Sequence, residues 1–264
     1  MNKRILILGG TTEAFQLAEH LASTPALTVI SSLAGRVAQP KLPPGEVRIG
    51  GFGGINGLTS YLLAENIAAV IDATHPYAAT ISHNAEQACN SLTIPLIAYE
   101  RPPWQPHPHD RWHHIPDAPA AAELVDHENN RVFLSIGRQE LAAFSRCRNA
   151  HFLIRAIDEP EALLPPNSTL ILDRGPFNLA AELELLRNHR INWIVSKNSG
   201  GPATYAKIEA ARTLAISVAI VDRPPKHTLP TTASLDELLH ALNSQLSTPN
   251  SQLEDRSCFG EQQS

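Results

Sequence analysis

The sequence is poor in the residues that mark several specialised classes of protein. Only three of its 264 residues are cysteines, and no two form a C-x-x-C pair, so neither a disulfide framework nor a common zinc motif is expected. No apolar run approaches the roughly 18 residues that span a bilayer, and the first residues lack the cleavage site of a signal peptide. Basic residues are not in excess, since 21 Lys and Arg against 26 Asp and Glu give a net charge of −5. We therefore expect a soluble cytoplasmic protein without a membrane or nucleic-acid partner.

Strand-like and helix-like segments alternate along almost the whole chain. Arg4–Leu8 and Ala68–Thr74 are short and mostly apolar, whereas Thr12–Ala22 has the spacing of a helix with one buried stripe. Continuous apolar strands joined by helices are typical of a parallel sheet that is covered on both faces. The pattern predicts an α/β fold of two Rossmann-like, doubly wound parallel-sheet domains with a cleft between them.

The stretch Arg101–Pro119 interrupts the alternation because it holds six prolines. Proline lacks a backbone donor and restricts the residue before it, so no regular element is predicted there. The stretch divides the chain into a first domain, residues 1–104, and a second α/β domain, residues 105–246. Residues 247–264 are polar and aperiodic, which predicts a disordered tail.

The first predicted βα turn carries residues that suit the phosphates of a dinucleotide. It reads Gly9-Gly10-Thr11-Thr12-Glu13, where glycines permit close approach of the backbone and the helix N-terminus supplies N–H groups. The third glycine of the usual G-x-G-x-x-G pattern is missing, so a tight turn of any α/β protein is the alternative. The position in the first turn of a doubly wound sheet favours phosphate binding.

The second predicted strand ends without the acidic residue that NAD-binding domains usually place there for the ribose hydroxyls. Ser32, Gly35 and Arg36 occupy this segment instead, and a hydroxyl with an arginine suits a 2′-phosphate. Together with the glycine turn, this segment favours NADP(H) over NAD. A plain surface loop is the alternative.

A glycine-rich run, Gly50–Gly54, follows the third predicted strand. Gly51, Phe52 and Gly53 at its centre are candidate cofactor contacts, because glycines allow close approach to a flat ligand. The same glycines would also serve as a hinge, and the sequence does not separate the two interpretations.

Polar side chains follow the most apolar strand of the first half. Asp72, Thr74, His75 and Tyr77 lie at its end, where parallel sheets face their ligands. Histidine titrates near neutrality and can donate or relay a proton, so His75 and Tyr77 are the candidate catalytic residues. Asp72, Thr74 and His75 are also candidate cofactor contacts. The alternative is that His75 caps the following helix and Pro76 is its first residue.

The second half has its own basic residues at predicted strand ends. Ser196–Gly201 is a polar glycine loop that suits an anion through backbone amides and Lys197, and Lys207 follows in the next helix. Arginines in such places suit bidentate contact with carboxylates, although each alone is more often a solvated surface residue. They are Arg138, Arg155 and Arg174.

Other titratable residues are not assigned to a site. The spacing of four histidines in the proline-rich stretch matches no zinc pattern, so no metal site is expected; they are His107, His109, His113 and His114. Cys89 and Cys147 lie in apolar contexts and are expected to be buried thiols.

Eight segments together carry a resemblance to one enzyme family. They are ILILGGTTEA (5–14), SLAGR (32–36), RIGGFGG (48–54), DATHPYA (72–78), ERPPW (100–104), SIGRQEL (135–141), LDRGPF (172–177) and SKNSGG (196–201). In this order they resemble the precorrin-6A reductase family of cobalamin biosynthesis, including its cobalt-precorrin-6A branch, from residue 5 to about residue 224. The resemblance implies NADPH-dependent transfer of a hydride to a ring double bond, which gives the 6B form. Tyr77 is a small departure, since family members often carry Phe there.

The resemblance also implies how the two domains divide the work. The first would bind NADP(H), with Gly9–Glu13 at the pyrophosphate and Ser32 and Arg36 at the 2′-phosphate. Thr74, His75 and Tyr77 would face the nicotinamide and the substrate. The second would bind the acetate and propionate groups of a tetrapyrrole-derived macrocycle through Arg138, Arg174, Lys197, Asn198, Ser199, Gly200, Gly201 and Lys207. The proton donor, the hydride face, the presence of cobalt and the oligomeric state, monomer or weak homo-oligomer, are left open.

Two other functions remain as alternatives. An NADP-dependent reductase or epimerase of another small metabolite would place a Tyr-x-x-x-Lys pair on one helix, and none of the four tyrosines has a lysine four residues later. A non-catalytic NADP(H)-sensing protein would keep the glycine turn but would not need the basic residues of the second half.

Overall fold

The computed structural model describes residues 2–35, 39–226 and 228–247, and these residues form two compact units with one sheet each. The first unit comprises residues 2–35, 41–100, 226 and 228–247. The second unit comprises residues 39–40 and 101–225. No helix of these described residues is both long and apolar enough to cross a membrane.

Strands and helices alternate in chain order. The first segment contains β1 (Lys3–Leu8), α1 (Thr12–Ala22), β2 (Leu27–Leu33), β3 (Glu46–Ile49), α2 (Gly54–Ala64), β4 (Ile67–Asp72), α3 (Ala79–Leu92) and β5 (Leu96–Tyr99). The second contains β6 (Arg111–Ile115), α4 (Ala118–Val125), β7 (Arg131–Ser135), a 3₁₀ helix (Arg138–Phe144), β8 (His151–Ala156), β9 (Ser168–Leu172), α5 (Leu179–Asn188), β10 (Trp193–Lys197), α6 (Ala206–Thr213) and β11 (Ser217–Val221). The last contains β12 (Thr231–Thr232) and α7 (Leu235–Ser247).

The first sheet has the strand order β12-β5-β4-β1-β2-β3, and its neighbouring strands are parallel. This is the Rossmann order 3-2-1-4-5 with β12 as the sixth strand. Ile5 and Ile7 of β1 share a core with α1 and α7, whereas Leu6 and Leu8 share a core with α2 and α3. The unbroken apolar run of β1 therefore reflects burial on both faces of the sheet.

The second sheet repeats this arrangement. Its order is β6-β11-β10-β7-β8-β9, and its neighbouring strands are also parallel. From β9 to β11 the order is again 3-2-1-4-5, with β6 at the outer edge. Phe133 on β7 and Ile194 on β10 lie in a core with Leu186 of α5 and Ile208 of α6. The predicted α/β class with two Rossmann-like parallel sheets is confirmed.

The chain divides differently from the predicted boundaries at 104 and 246. Residues 101–104 belong to the second unit, and the chain returns to the first unit at Lys226. β12 pairs with β5, and Leu238 and Leu242 of α7 lie in the same core as Ile5. The sequence placed α7 in the second domain because an amphipathic pattern does not say which sheet the helix covers. Of the predicted tail, residues 248–264 lie outside the described residues.

The proline-rich stretch contains a strand, contrary to the prediction that no regular element forms there. β6 lies between Pro108 and Pro116 and pairs along its whole length with β11. No proline interrupts residues 111–115, so every residue of this edge strand keeps its backbone N–H. Pro116 and Pro119 flank the N-cap of α4, Asp117, whose side chain accepts from the N–H of Ala120 at 2.9 Å.

Candidate functional site

The carboxyl edge of the first sheet brings together the loops that follow β1, β2 and β4. The strand order reverses between β1 and β4, where sheets of this kind bind ligands. The N–H of Gly9 donates to the carbonyl of Ser32 at 3.0 Å, and the N–H of Ala73 donates to the carbonyl of Leu8 at 3.0 Å. The Thr11 hydroxyl donates to the carbonyl of Ala73 at 2.8 Å. These bonds hold the three loops side by side.

The glycine turn has a geometry that suits a phosphate. Gly10 has a φ of +103°, and no atom of the described residues lies within 4 Å of the place a Cβ would occupy. Thr11 caps α1, because its Oγ1 accepts from the N–H of Ala14 at 3.0 Å. Thr12 and Glu13 are the first two residues of α1. The predicted residues therefore lie where the N–H groups of a helix N-terminus attract anions.

Arg48, on β3, is a residue of this edge that the sequence analysis missed. Its Nη1 donates to Oγ of Ser32 at 3.0 Å and to the carbonyl of Gly50 at 2.8 Å, and its Nη2 donates to the carbonyl of Gly51 at 3.1 Å. Its guanidinium carbon lies 3.8 Å from the centre of the Phe52 ring. The available signal was an arginine near the end of a strand, two residues before the glycine run.

The other predicted residues of this edge are placed as follows. Gly35 follows β2 and has a φ of +72°. Gly53 is the N-cap of α2 with a φ of +81°, and the Phe52 ring packs edge to face on Tyr61 with the centroids 5.2 Å apart. The glycine run is therefore anchored at its centre by an aromatic pair, and its contact with a cofactor stays a prediction. Arg36 lies outside the described residues.

Asp72 orders the loop after β4 from inside the core. It is fully buried, and its Oδ1 accepts from both the N–H and the hydroxyl of Thr74, at 2.9 and 2.6 Å. Lys226 reaches the same loop from the returning chain. Its Nζ donates to the carbonyl of Thr74 at 3.2 Å and lies 3.7 Å from Asp72 Oδ1 and 3.4 Å from Glu100 Oε2. The sequence analysis missed Lys226 because it lies far along the chain from this motif.

His75 and Tyr77 lie together in this loop. The N–H of Tyr77 donates to Nδ1 of His75 at 3.3 Å, and the two ring centroids are 5.6 Å apart. A neutral His75 whose Nδ1 accepts a hydrogen bond carries its proton on Nε2. α3 begins at Ala79 with Ala78 as its N-cap. The alternative in which His75 caps this helix and Pro76 is its first residue is therefore wrong.

At the carboxyl edge of the second sheet, Lys197 forms an ion pair with Glu140. Lys197 ends β10, and Glu140 lies in the 3₁₀ helix after β7, the strand beside it. Arg138, a predicted substrate contact, is the first residue of that helix. A side chain at Gly137 would come within 2.6 Å of Glu140 Oε2, so this position leaves space for the carboxylate. The pair lies where the strand order of the second sheet reverses.

The loop after β10 is fastened to the segment that follows β5. The side chain of Asn198 bonds both backbone groups of Trp104: Oδ1 accepts from its N–H at 2.7 Å, and Nδ2 donates to its carbonyl at 3.1 Å. The indole N–H of Trp104 donates to the carbonyl of Gly201 at 2.8 Å, and Arg223 Nε donates to the carbonyl of Asn198 at 2.8 Å. Asn198 is buried, so its side chain shapes the loop.

Ser199 and Gly200 complete this loop beside Arg101. The carbonyl of Ser199 accepts from Arg101 Nε at 2.6 Å. Gly200 has a φ of +68°, and a Cβ there would lie 2.2 Å from the carbonyl oxygen of Pro102. Only glycine fits this position without a shift of the backbone.

Lys207 is buried in the second unit, although the sequence analysis expected it to contact the substrate. Its Nζ donates to the carbonyl of Thr204 at 3.1 Å and lies 5.3 Å from the centre of the Trp104 ring. Burial lowers the pKa of Lys207 to about 7; the charge of Arg155 also lowers it, and Glu182 opposes the shift. Arg155 and Glu182 form a buried ion pair at 2.5 Å. The pattern of apolar residues in the sequence did not indicate that Lys207 lies on the buried face of α6.

Arg174 remains at the surface of the second unit. It follows β9, and its Nη1 donates to the carbonyl of Gln39 at 3.1 Å. The neighbouring Arg155 is the opposite case, since its guanidinium carbon lies 3.5 Å from the centre of the Phe177 ring inside the unit. Of the arginines that the sequence placed at strand ends, Arg174 is exposed and Arg155 is buried.

An apolar pocket of about 330 Å³ opens beside the loop after β10. Trp104 and Tyr205 contribute its aromatic walls, with their ring centroids 5.5 Å apart. Three prolines, Pro102, Pro103 and Pro202, also line it. The pocket presents flat, rigid apolar groups next to polar backbone.

Two histidines of the proline-rich stretch have local partners, and both thiols of the described residues are buried. His114 Nδ1 lies 2.7 Å from Asp222 Oδ1, and the His113 ring lies 4.8 Å from the Trp193 ring. The described part of the chain contains no group of three or more His, Cys, Asp or Glu placed to hold a metal ion. Cys89 is a buried thiol, as predicted, and burial raises its pKa to about 12. Cys147 is buried as well.

Comparisons with known proteins agree with this architecture. Residues 4–243 match the family described as precorrin-6x reductase CbiJ/CobK. The precorrin-6A reductase of Rhodococcus erythropolis is 50% identical over 239 residues, which are 90% of this chain and 96% of that protein. The cobalt-precorrin-6A reductase of Priestia megaterium is 26% identical over 254 residues, 91% of this chain and 98% of that protein. A solved structure described as CobK precorrin-6A reductase is similar with a TM-score of 0.87 and 42% identity, covering 94% of this chain and 99% of the other.

The two parallel sheets, with a glycine turn at the switch point of the first, define an α/β protein of the Rossmann class. Strand order alone does not identify the reaction, but the match over nearly the whole chain does identify the family. The chain belongs to the precorrin-6x reductase family, as the sequence motifs indicated, and it is a reductase.

Proposed function

We propose that this protein is an NADPH-dependent reductase that converts precorrin-6A into precorrin-6B by reducing one ring double bond. The observation that carries the proposal is a Rossmann switch point with an open glycine turn in a chain that belongs to this family. Two relatives named precorrin-6A reductase match this chain over 96% and 98% of their own length.

The first sheet offers a set of groups that fits NADPH. Gly10 and the N-terminus of α1 suit the pyrophosphate, because the backbone there is open and carries N–H donors. β2 ends with Ser32 and Leu33, and no acidic residue follows as far as Arg36 to repel a 2′-phosphate. Arg36 stays a predicted contact of that phosphate. Phe52 stays a predicted contact of the cofactor.

The loop after β4 is the proposed place of the chemistry. Bound NADPH supplies the hydride, and reduction of a double bond also consumes one proton. His75 is a candidate donor because its Nδ1 accepts from the chain, which leaves Nε2 as the proton-bearing atom. Tyr77 and solvent are the other candidates. Asp72 accepts from the N–H of Thr74 and Lys226 donates to its carbonyl, and these bonds help to fix the position of the neighbouring His75.

The second sheet is the proposed binding region for the macrocycle. Precorrin-6A is a polycarboxylate on a flat ring, so it needs both cationic groups and an apolar surface. Arg138, Arg174 and Lys197 supply cationic groups at strand ends, as the resemblance implies. The apolar pocket of Trp104 and Tyr205 is suited to one face of the ring. The loop Asn198–Gly201 follows β10 and stays a predicted contact of the macrocycle.

The cobalt-free substrate is favoured over the cobalt form. Relatives named precorrin-6A reductase are 43–50% identical to this chain. Those named cobalt-precorrin-6A reductase are 25–26% identical. We therefore propose precorrin-6A as the preferred substrate and the cobalt form as the poorer one.

An anaerobic assay of NADPH oxidation with each substrate tests this function. We expect turnover with precorrin-6A, formation of one reduced product per NADPH, and a lower kcat/KM with the cobalt form. Tight NADPH binding without turnover of either macrocycle would instead identify a sensing protein. Turnover with NADH as fast as with NADPH would contradict the proposed cofactor alone.

A further inference from the structure

We propose that Arg48 makes this protein select NADPH over NADH by binding the 2′-phosphate of the adenine ribose. The inference rests on the proposed NADPH dependence and adds a residue to which neither the sequence motifs nor the family match assigns a role. Arg48 lies on β3, and its side chain reaches Ser32 near the end of β2.

Arg48 lies where a Rossmann sheet recognises the ribose. In such sheets the end of the second strand carries the group that contacts the ribose 2′ position. The guanidinium of Arg48 reaches this point from β3 and donates from Nη1 to Oγ of Ser32 at 3.0 Å. The carbonyl of the same Ser32 accepts from Gly9 in the glycine turn at 3.0 Å. One residue thus connects the proposed pyrophosphate turn with the guanidinium.

The guanidinium is held in one orientation before any ligand arrives. Carbonyls of Gly50 and Gly51 accept from it at 2.8 and 3.1 Å, and the ring of Phe52 lies against it at 3.8 Å. Tyr61 adds a second ring at 5.2 Å. A planar cation fixed by carbonyls and rings loses little freedom when it binds a phosphate, so more of the interaction is available for selectivity.

The Arg48 guanidinium has more N–H groups than these contacts use. A guanidinium has five N–H groups, and the bonds to Ser32, Gly50 and Gly51 engage three of them within the described residues. Ser32 Oγ accepts from Arg48 and still has its own hydrogen to donate. A phosphate at this point would therefore meet a charged fork and a hydroxyl together, which is the arrangement that favours it over a ribose hydroxyl.

The glycine run also obtains a physical explanation from this site. Gly50, whose carbonyl accepts from Arg48, has a φ of +119°, a conformation that favours glycine. Phe52 follows at once and covers the cation. The run therefore holds Arg48 in place, and its direct contact with a cofactor stays a prediction.

The test compares binding of two nucleotide pairs to Arg48→Gln and to the wild type. Titration calorimetry would measure NADPH against NADH, and 2′,5′-ADP against 5′-AMP, so that the 2′-phosphate is the only difference within each pair. We expect Arg48→Gln to weaken NADPH and 2′,5′-ADP by roughly 10- to 100-fold, as for loss of a charged hydrogen bond. NADH and 5′-AMP affinities should stay within about twofold, which also shows that the variant is folded. Arg48→Lys should keep part of the selectivity because it keeps the charge.

The matched control is Arg4→Gln, an arginine at the opposite end of the same sheet. Arg4 pairs with Glu46 and Glu65, so its loss should leave the NADPH to NADH ratio unchanged even if the melting temperature falls. Equal weakening of all four ligands by Arg48→Gln would overturn the inference, since it would mean a structural role only. Unchanged selectivity in Arg48→Gln would overturn it as well. A wild type that does not prefer NADPH would overturn the proposed cofactor itself.

Discussion

Lys207 gives the second unit a stability that depends on pH. Its pKa falls from the usual 10.5 to about 7 on folding. Between these values the unfolded chain binds more protons than the folded chain, so the free energy of unfolding rises with pH. The slope is at most about 1.4 kcal/mol per pH unit. Urea denaturation of the wild type from pH 7 to pH 10 should show this rise, and Lys207→Met should lose it.

Lys41 provides the control for this experiment. It is an exposed lysine, so Lys41→Met should keep the wild-type slope. A slope in Lys207→Met that runs parallel to that of the wild type would mean that other groups cause the rise. In that case the amine of Lys207 would not change its charge between the two states.

His75 is the residue whose replacement tests the proton step. His75→Gln should lower kcat with precorrin-6A by about 10²- to 10⁴-fold, the usual range for a general acid. It should also remove any pH dependence of kcat that a histidine causes near neutrality. NADPH affinity, measured by fluorescence titration, reports separately on the predicted contact between His75 and the cofactor. His240→Gln, on the exposed face of α7, is the control and should leave kcat unchanged.

The outcome separates the three candidate donors. If His75→Gln keeps the wild-type kcat across the pH range, His75 is not the donor. A loss in Tyr77→Phe, which removes only the hydroxyl, would then assign the proton to Tyr77. Full activity of both variants would assign it to solvent.

The sequence indicates which residues have suitable chemistry, but it does not indicate their burial or their contacts with distant parts of the chain. The sequence indicated that Asp72, Thr74 and His75 belong together, because they are adjacent and follow an apolar strand. It did not indicate that Lys226 supports them, since that contact joins distant parts of the chain. It also did not indicate that Lys207 is buried, because its hydrogen bond and its aromatic neighbour come from packing.

The N-terminus of α1 is the element that carries the proposed phosphate site. Thr11 both caps this helix and donates to the carbonyl of Ala73 after β4. Thr11→Val keeps the shape but removes both bonds, so it should lower the free energy of unfolding by about 1–2 kcal/mol. Urea denaturation measures this loss, and NADPH affinity should fall with it because the turn is released. Thr11→Ser keeps the hydroxyl and should behave like the wild type.

Strands and helices were predicted correctly where the apolar residues recur with a clear period. The prediction failed where nearby prolines were taken to exclude a strand. α1 was predicted with its observed bounds, Thr12–Ala22, because its apolar residues recur with the spacing of a helix. β6 was missed because its prolines were counted for the whole stretch, although none lies within the strand. α3 begins at Ala79, so His75 and Tyr77 lie in the loop before it and not in the helix.

The whole first unit depends on the last described segment of the chain. Leu238 and Leu242 of α7 close the core beside Ile5, and β12 completes the sheet. Deletion of residues 226–264 should therefore prevent accumulation of folded protein, because the apolar face that α7 covers is left in water. Soluble yield and the melting temperature by circular dichroism measure the effect.

A shorter deletion serves as the control. Removal of residues 248–264 takes away only the segment that the sequence predicts to be a disordered tail, and the melting temperature should stay at the wild-type value. If the longer deletion also melts like the wild type, the first five strands and three helices form a complete core by themselves.

The class of fold could be predicted from the sequence because parallel sheets impose a repeated local pattern. Strands such as β1 and β4 are mostly apolar, and each of these two is followed by a helix. The assignment of α7 to a unit could not be predicted in this way. Its stripe of leucines fits any apolar sheet face, and the choice is made by which face is still uncovered.

The contact between Glu100 and Lys226 has a consequence for the order of synthesis. Glu100 is the last residue before the chain leaves the first unit, Lys226 is the first after it returns, and their side chains lie 3.4 Å apart. During translation the ribosome must make all 125 intervening residues before the first unit can close its sheet. Residues 2–100 therefore lack β12 and α7 while the second unit is synthesised, and the second unit can fold first. The second unit begins later in the sequence, but its last residue is synthesised before the first unit is complete.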